Sequence, residues 1–228
     1  MIKDKIKKIP LLGELLVKVS NRLKGVHPFE TSGKYWEERY RNGGNSGAGS
    51  YNNLAEFKGE IVNAFVNQNH IENVIEIGCG DGNQLKYLNF KNYIGYDISI
   101  TAISICQKMY KDDTSKQFRL LDSEIEVMAD LTLSLDVIFH LIEDEVYHDY
   151  MKWLFSASKK YVIIYSSNYD DHENDNVVAH IKHRKFTNWI EENAPEFELV
   201  DYIANKYPDN GDGERTTFAD FYIFQSRK

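Results

Sequence analysis

Along the chain, short apolar runs alternate with segments in which apolar residues recur every three or four positions. The runs NVIEIG (73–78), YIGYDI (93–98), QFRLLD (117–122), LDVIFHL (135–141) and YVIIYSS (161–167) read as strands. Between them, Leu54, Phe57, Ile61 and Phe65 mark a helix before the first strand, and 101–111 and 145–158 mark helices between later ones. The stretch 123–134 shows less regularity. Strands buried on both faces and alternating with helices predict an α/β fold built on a mostly parallel sheet. Near the end, FELVDYIANKY (197–207) and ADFYIFQSR (219–227) flank a turn-rich segment, which adds an antiparallel pair and brings the strand count to seven.

Ahead of this body, Leu12, Leu16, Val19 and Leu23 form one stripe of an amphipathic helix over 11–24. The loop RNGGNSGAGS (41–50) divides the chain into an N-terminal arm and lid, 1–50, and a main domain, 51–228.

The length of 228 residues and 42% hydrophobic content suffice for one sizeable core. Cys79 and Cys106 are too few for a disulfide framework and have no CxxC partner. No secretory leader or long apolar span is evident, so the expected location is cytoplasmic. Net charge is −8, yet residues 1–24 carry seven Lys/Arg against Asp4 and Glu14, leaving a strongly acidic remainder. That body repels a phosphate backbone, so nucleic acid is not the expected partner. The basic amphipathic arm suits an anionic membrane surface, at the inner face, or an assembly partner.

The sharpest chemical signal is VIEIGCGDGNQL (74–85), where a strand runs into Gly78, Cys79, Gly80, Asp81 and Gly82 and a helix is expected to follow. Ligands in open α/β sheets lie at the carboxyl ends of strands, and glycines there permit close approach to the backbone. Asp97 closes the next strand, placed to accept hydrogen bonds from both hydroxyls of a ribose. The dinucleotide pattern GxGxxG would need glycine at 83, where Asn83 stands, which disfavours an NAD-linked oxidoreductase.

With Glu76 two residues ahead of the first glycine, this motif resembles that of class I S-adenosylmethionine-dependent methyltransferases, and the strand pattern extends the resemblance over roughly 50–228. The resemblance implies a Rossmann-like fold and S-adenosyl-L-methionine as cofactor. It assigns Glu76 to the region of the methionine amino group, Gly78 to Gly82 to the cofactor's underside, Asp97 with Ile98 to the ribose end, and Asp122 with Ser123 to the adenine amine. An N-cap is the plainer role for Asp122. Asp136 matches a position the family often uses structurally, and no chemistry is assigned to it. In the segment 33–51, Tyr35, Trp36 and Arg41 suit a lid over the cofactor, a surface helix and linker being the alternative.

The stretches YWEERYRNGGNSGAGSYNNLAEFK, DVIFHLIEDEV and HIKHRKFTNW further resemble bacterial methyltransferases of surface-polysaccharide assembly, O-antigen and capsule included. This implies a saccharide or phosphosaccharide acceptor. A hydroxyl acceptor calls for a base, and His140 is the first candidate, its basicity expected to be raised by Glu143, Asp144 and Glu145. His183 is the second. His180 and Arg184 suit an acidic or phosphorylated acceptor. The run Asp170, Asp171, His172, Glu173, Asp175 reads as a solvated loop, and no metal is expected. A competing expectation is a catalytically silent cofactor-binding scaffold in a larger assembly.

Overall fold

The computed structural model describes residues 29–171 and 178–227. The amphipathic helix expected over 11–24, and His172, Glu173 and Asp175, lie outside the described residues. From Thr31 onward the chain forms one compact unit, and the segment 31–50 packs within it.

The sheet has seven strands: β1 (Asn73–Ile77), β2 (Asn92–Asp97), β3 (Lys116–Leu120), β4 (Ala129–Leu135), β5 (Ser158–Ser166), β6 (Phe197–Ile203) and β7 (Asp220–Ser226), in the order β3-β2-β1-β4-β5-β7-β6. Strands β1 to β5 pair in parallel, and β7 runs antiparallel to both β5 and β6, between which it lies. This is the mostly parallel α/β sheet the strand pattern predicts, in the Rossmann-like form the family resemblance implies. Among the described residues five α-helices surround it: α1 (Ser32–Arg41), α2 (Asn52–Gln68), α3 (Ile100–Met109), α4 (Asp144–Ser156) and α5 (Phe186–Asn193). Alternation along β1 shows how both faces are covered. Val74 joins Phe57 and Val62 of α2 and Ile103 of α3 in one core, while Ile75 and Ile77 join Met151 and Leu154 of α4 and Trp189 of α5 in the other.

Two local expectations are corrected. The fourth strand is Ala129–Leu135, not 135–141. Its Thr132 and Ser134 look polar in sequence but are fully buried against α4, where Thr132 Oγ1 donates to the Leu154 carbonyl (2.8 Å) and Ser134 Oγ donates to Tyr150 OH (2.7 Å), whose own proton goes to the Ile77 carbonyl (2.8 Å). Asp136, at φ +60°, then turns the chain out of the strand, and Ile138–His140 forms a 3-10 turn.

No α-helix follows the glycine loop either; Gln84–Tyr87 is a single 3-10 turn. Asn63 of α2 ends it, its Nδ2 donating to the Tyr87 carbonyl (2.8 Å) and its Oδ1 accepting from Asn89 N (2.8 Å). The helix expected after the glycines is therefore missing, and with it a helix N-terminus that would favour an anionic group at this loop.

Candidate active site

The parallel strands β1 to β4 end around one cavity of about 240 Å³. Its floor is the turn after β1. Gly78 (φ +86°) is bound to the next strand by its N–H, which donates to the Tyr96 carbonyl at 2.7 Å, and a Cβ there would lie 2.5 Å from Val137. Gly80 (φ +55°) is equally confined, by Tyr40 and Ser46. At both positions a side chain would be strained by backbone conformation and by lack of space.

Asp97 ends β2 beside this turn. Its Oδ2 accepts from Gly80 N (2.9 Å) and its Oδ1 from Ser99 N (2.8 Å). Those bonds fix the carboxylate and leave each oxygen a further lone pair. Burial pushes the Asp97 carboxyl up to about 6 despite the two backbone donors. Glu76 is fully enclosed and accepts from Tyr93 OH (2.5 Å); burial pushes it up to about 7, against that hydrogen bond and the nearby Lys58 charge.

The segment before the domain closes over these groups. Glu37 of α1 accepts from Ser99 Oγ and Thr101 Oγ1, each at 2.6 Å, and so ties α1 to the start of α3. Ser32 binds Glu143 through its N–H (2.9 Å) and hydroxyl (2.6 Å), tying the same helix to the start of α4. The glycine-rich stretch is docked as well. Ser46 N and Tyr51 OH donate to Asp81 Oδ2 (2.9 and 2.8 Å), and Asn83 Nδ2 donates to the Ser50 carbonyl (2.7 Å).

Trp36, Glu76, Gly78, Cys79, Gly80, Asp97, Ile98 and His140, all anticipated from sequence, line the cavity. Asp81 and Gly82 support the loop from outside it; Asp81 is spent on the docked segment and Gly82 packs on Cys106. Arg41 is exposed and pairs with Glu38, and the α1 groups that face inward beside Trp36 are Ser32, Gly33 and Tyr40. Tyr35 stacks on His180 (4.6 Å, 13°) at the edge of the site. Asp122 and Ser123 are exposed and bond one another (3.2 Å), because the chain leaves β3 at Leu121, which supplies the wall instead.

The environment of His140 differs from expectation. Burial lowers its pKa to about 4, outweighing the hydrogen bond its Nδ1 makes to the His180 carbonyl (2.8 Å). The neighbouring acids do not raise it, since Glu143 serves Ser32 and Asp144 pairs with Lys182 and Arg184. The Nδ1 bond selects the tautomer that leaves Nε2 as an acceptor. His183 lies apart from the cavity wall, with Nδ1 2.6 Å from Ser167 Oγ and its ring against Tyr169 and Phe218. Arg184 donates to the carbonyls of Leu141 (2.6 Å) and Ile142 (2.9 Å) and to Asp144 (2.7 Å), which commits its guanidinium to holding the start of α4. Asp170 and Asp171 accept from the backbone N–H groups of Lys185 and His183. No cluster of metal ligands occurs among the described residues.

Sequence reasoning missed Tyr40, Ser46, Ser50, Gln84, Asp136 and Tyr150 as lining groups. Lys58 was also missed. Fully buried, it pairs with Asp136 (Nζ to Oδ2, 2.5 Å). Its signal was a cation four residues from Leu54 and four from Val62, on the apolar stripe of α2.

Residues 75–152, about a third of the chain, match a family described as a methyltransferase domain. The fold is shared with the N-methyltransferase NodS from Bradyrhizobium japonicum WM9 in complex with S-adenosyl-L-homocysteine (TM-score 0.67, 13% identity, 87% of this chain and 100% of that one). It is also shared with the methyltransferase domain of bacterial CtHen1-C (0.59, 18%, 77% and 100%) and with magnesium protoporphyrin IX methyltransferase from Synechocystis PCC 6803 with bound S-adenosylmethionine (0.58, 13%, 88% and 99%). Identities this low establish the fold alone. No curated protein matches the chain. The methyltransferase-domain match implies S-adenosyl-L-methionine as cofactor, and the cavity suits it: a fixed buried carboxylate at the end of β2, a glycine floor without room for side chains, and a buried Gln84 Oε1 without a partner among the described residues.

Proposed function

We propose that this protein is an S-adenosylmethionine-dependent O-methyltransferase acting on a saccharide or phosphosaccharide of bacterial surface-polysaccharide assembly. The cofactor, when bound, supplies an electrophilic methyl group on its sulfonium. Asp97 would accept the ribose hydroxyls, the turn Gly78 to Gly80 would leave room for the cofactor against the backbone, and α1 with the 42–50 segment would exclude water.

The observation that carries the acceptor chemistry is His140. Its ring lines the cavity edge-to-face with Trp36 (4.9 Å, 76°), and its Nδ1 bond leaves Nε2 available to an acceptor hydroxyl. With its pKa near 4 the imidazole is neutral in cells, so it orients the hydroxyl by accepting its hydrogen bond and takes the proton as the oxygen is methylated. Support for a saccharide comes from the extended sequence resemblance and from the Trp36 wall, an amphipathic surface suited to a sugar ring. The basic segment 1–24 is assigned to an anionic membrane surface or an assembly partner, which brings the enzyme to its acceptor at the inner face of the membrane. Among the described residues no helix is long and apolar enough to cross a membrane.

The test is transfer from isotope-labelled S-adenosylmethionine to a panel of sugar phosphates, nucleotide sugars, oligosaccharides and small amines, read by mass spectrometry. A label on a saccharide oxygen is expected. Label on amines alone contradicts the acceptor assignment, and tight cofactor binding without transfer to any acceptor supports the silent scaffold.

A further inference from the structure

One wall of the cavity holds two groups that the ribose and glycine contacts leave without work. Gln84 is buried, and its Nε2 donates to the Ala55 carbonyl at 3.0 Å. Only the nitrogen can serve a carbonyl, so this bond fixes the amide orientation. Its Oε1 is one of two buried side-chain atoms without a hydrogen-bond partner among the described residues, and Gln84 lines the cavity. A buried amide oxygen left unpaired costs free energy that a ligand donor would recover.

Asp136 lines the same cavity from the end of β4. Three features hold its carboxylate in place: a positive φ (+60°) unusual for a residue with a side chain, the ion pair with fully buried Lys58, and Gly49, where a Cβ would stand 2.5 Å from Oδ2. Lys58 lies three residues beyond Ala55, so adjacent positions of α2 tether both groups.

Strand order sets these groups in a row: Leu121 after β3, Asp97 at the end of β2, the glycine turn after β1 and Asp136 after β4 all line the cavity. With the ribose on Asp97 and the base on the Leu121 side, the amino-acid end would reach across β1 toward Asp136. That end of the cavity offers an orphan acceptor and a carboxylate, while Lys58 is already engaged by Asp136. An ammonium group, cationic and rich in N–H donors, fits; a carboxylate does not. Glu76, the residue the family resemblance assigns to this region, already accepts from Tyr93.

We propose that Gln84 Oε1 and the Asp136 carboxylate receive the α-ammonium group of the methionine part of S-adenosylmethionine, with Lys58 as the positioning residue behind Asp136. The inference rests on the cofactor reading and is independent of the acceptor.

Calorimetry with two ligands tests it. S-adenosylhomocysteine carries the ammonium group, and 5′-methylthioadenosine has the same nucleoside and thioether without the amino-acid part. Gln84→Leu and Asp136→Asn should each weaken S-adenosylhomocysteine by about tenfold or more, the scale of a lost charge-assisted hydrogen bond, and leave methylthioadenosine unchanged. Equal losses for both ligands, or no loss for S-adenosylhomocysteine, overturn the assignment. Should either variant fail to fold, the wild-type protein still decides. A deaminated analogue of S-adenosylhomocysteine must bind it about tenfold more weakly, and equal affinity overturns the proposal. Wild-type protein that binds neither nucleoside overturns the cofactor reading itself, a different result from selective failure at the amino group.

Discussion

Ser46 and Asp81 bind one another twice: the Ser46 N–H donates to Asp81 Oδ2 at 2.9 Å, and Ser46 Oγ accepts from the Asp81 N–H at 3.0 Å. The pair joins the glycine-rich segment, remote in sequence, to the turn that floors the cavity. Asp81 also accepts from Tyr51 OH and Asn83 N. Asp81→Ala removes all three acceptor bonds, and a hydrogen bond to a charged group contributes roughly 1.5–3 kcal/mol. The expected result is faster tryptic cleavage after Arg39 and Arg41 together with weaker S-adenosylhomocysteine binding. Protection equal to wild type would show that the segment is held by other contacts.

Cofactor affinity should depend on pH through Asp97. The ribose hydroxyls donate to the ionised carboxylate, so binding favours the form that exists above about pH 6. Affinity is then full at neutral pH and declines as pH falls through 6, approaching tenfold per pH unit below it. Asp97→Asn should bind weakly and lose that slope. If the slope persists in the variant, it belongs to another group, Glu76 being the nearest candidate with its carboxyl pushed up to about 7.

A separate prediction concerns the acceptor side. His140→Ala should lower turnover by on the order of 10² to 10⁴ while cofactor affinity stays within about twofold. Because burial holds His140 near 4, its ionisation should produce no limb in the pH–rate profile between 6 and 8. His183→Ala should affect turnover far less, since that ring is packed between Tyr169 and Phe218 away from the cavity wall. The opposite ranking of the two variants would move the base to the segment after β5.

Much of the architecture was legible because β1, β2 and β5 are apolar on both faces, which parallel strands covered by helices require. Strand β4 was not, because Thr132 and Ser134 present hydroxyls whose partners come from α4, and no local pattern reveals that satisfaction. In the site, Glu76, Gly78, Gly80 and Asp97 were legible from spacing, since they sit on consecutive strand ends. Tyr40, Ser46 and Ser50 were not, for their place depends on α1 and the 42–50 segment folding back across the sheet. Asp122 was placed by motif position alone; the chain turns outward one residue earlier, at Leu121, which lines the cavity while Asp122 is exposed.

The account stands most directly on the carboxylate at the end of β2. Titration calorimetry of S-adenosylhomocysteine into wild-type protein and Asp97→Ala, at pH 7.5 or about that value where the carboxyl is ionised, isolates its contribution. The account predicts measurable binding by wild type and a loss of about tenfold or more in the variant, with the thermal transition of the unliganded protein preserved. Affinity unchanged in Asp97→Ala would contradict the placement of the cofactor across the glycine turn.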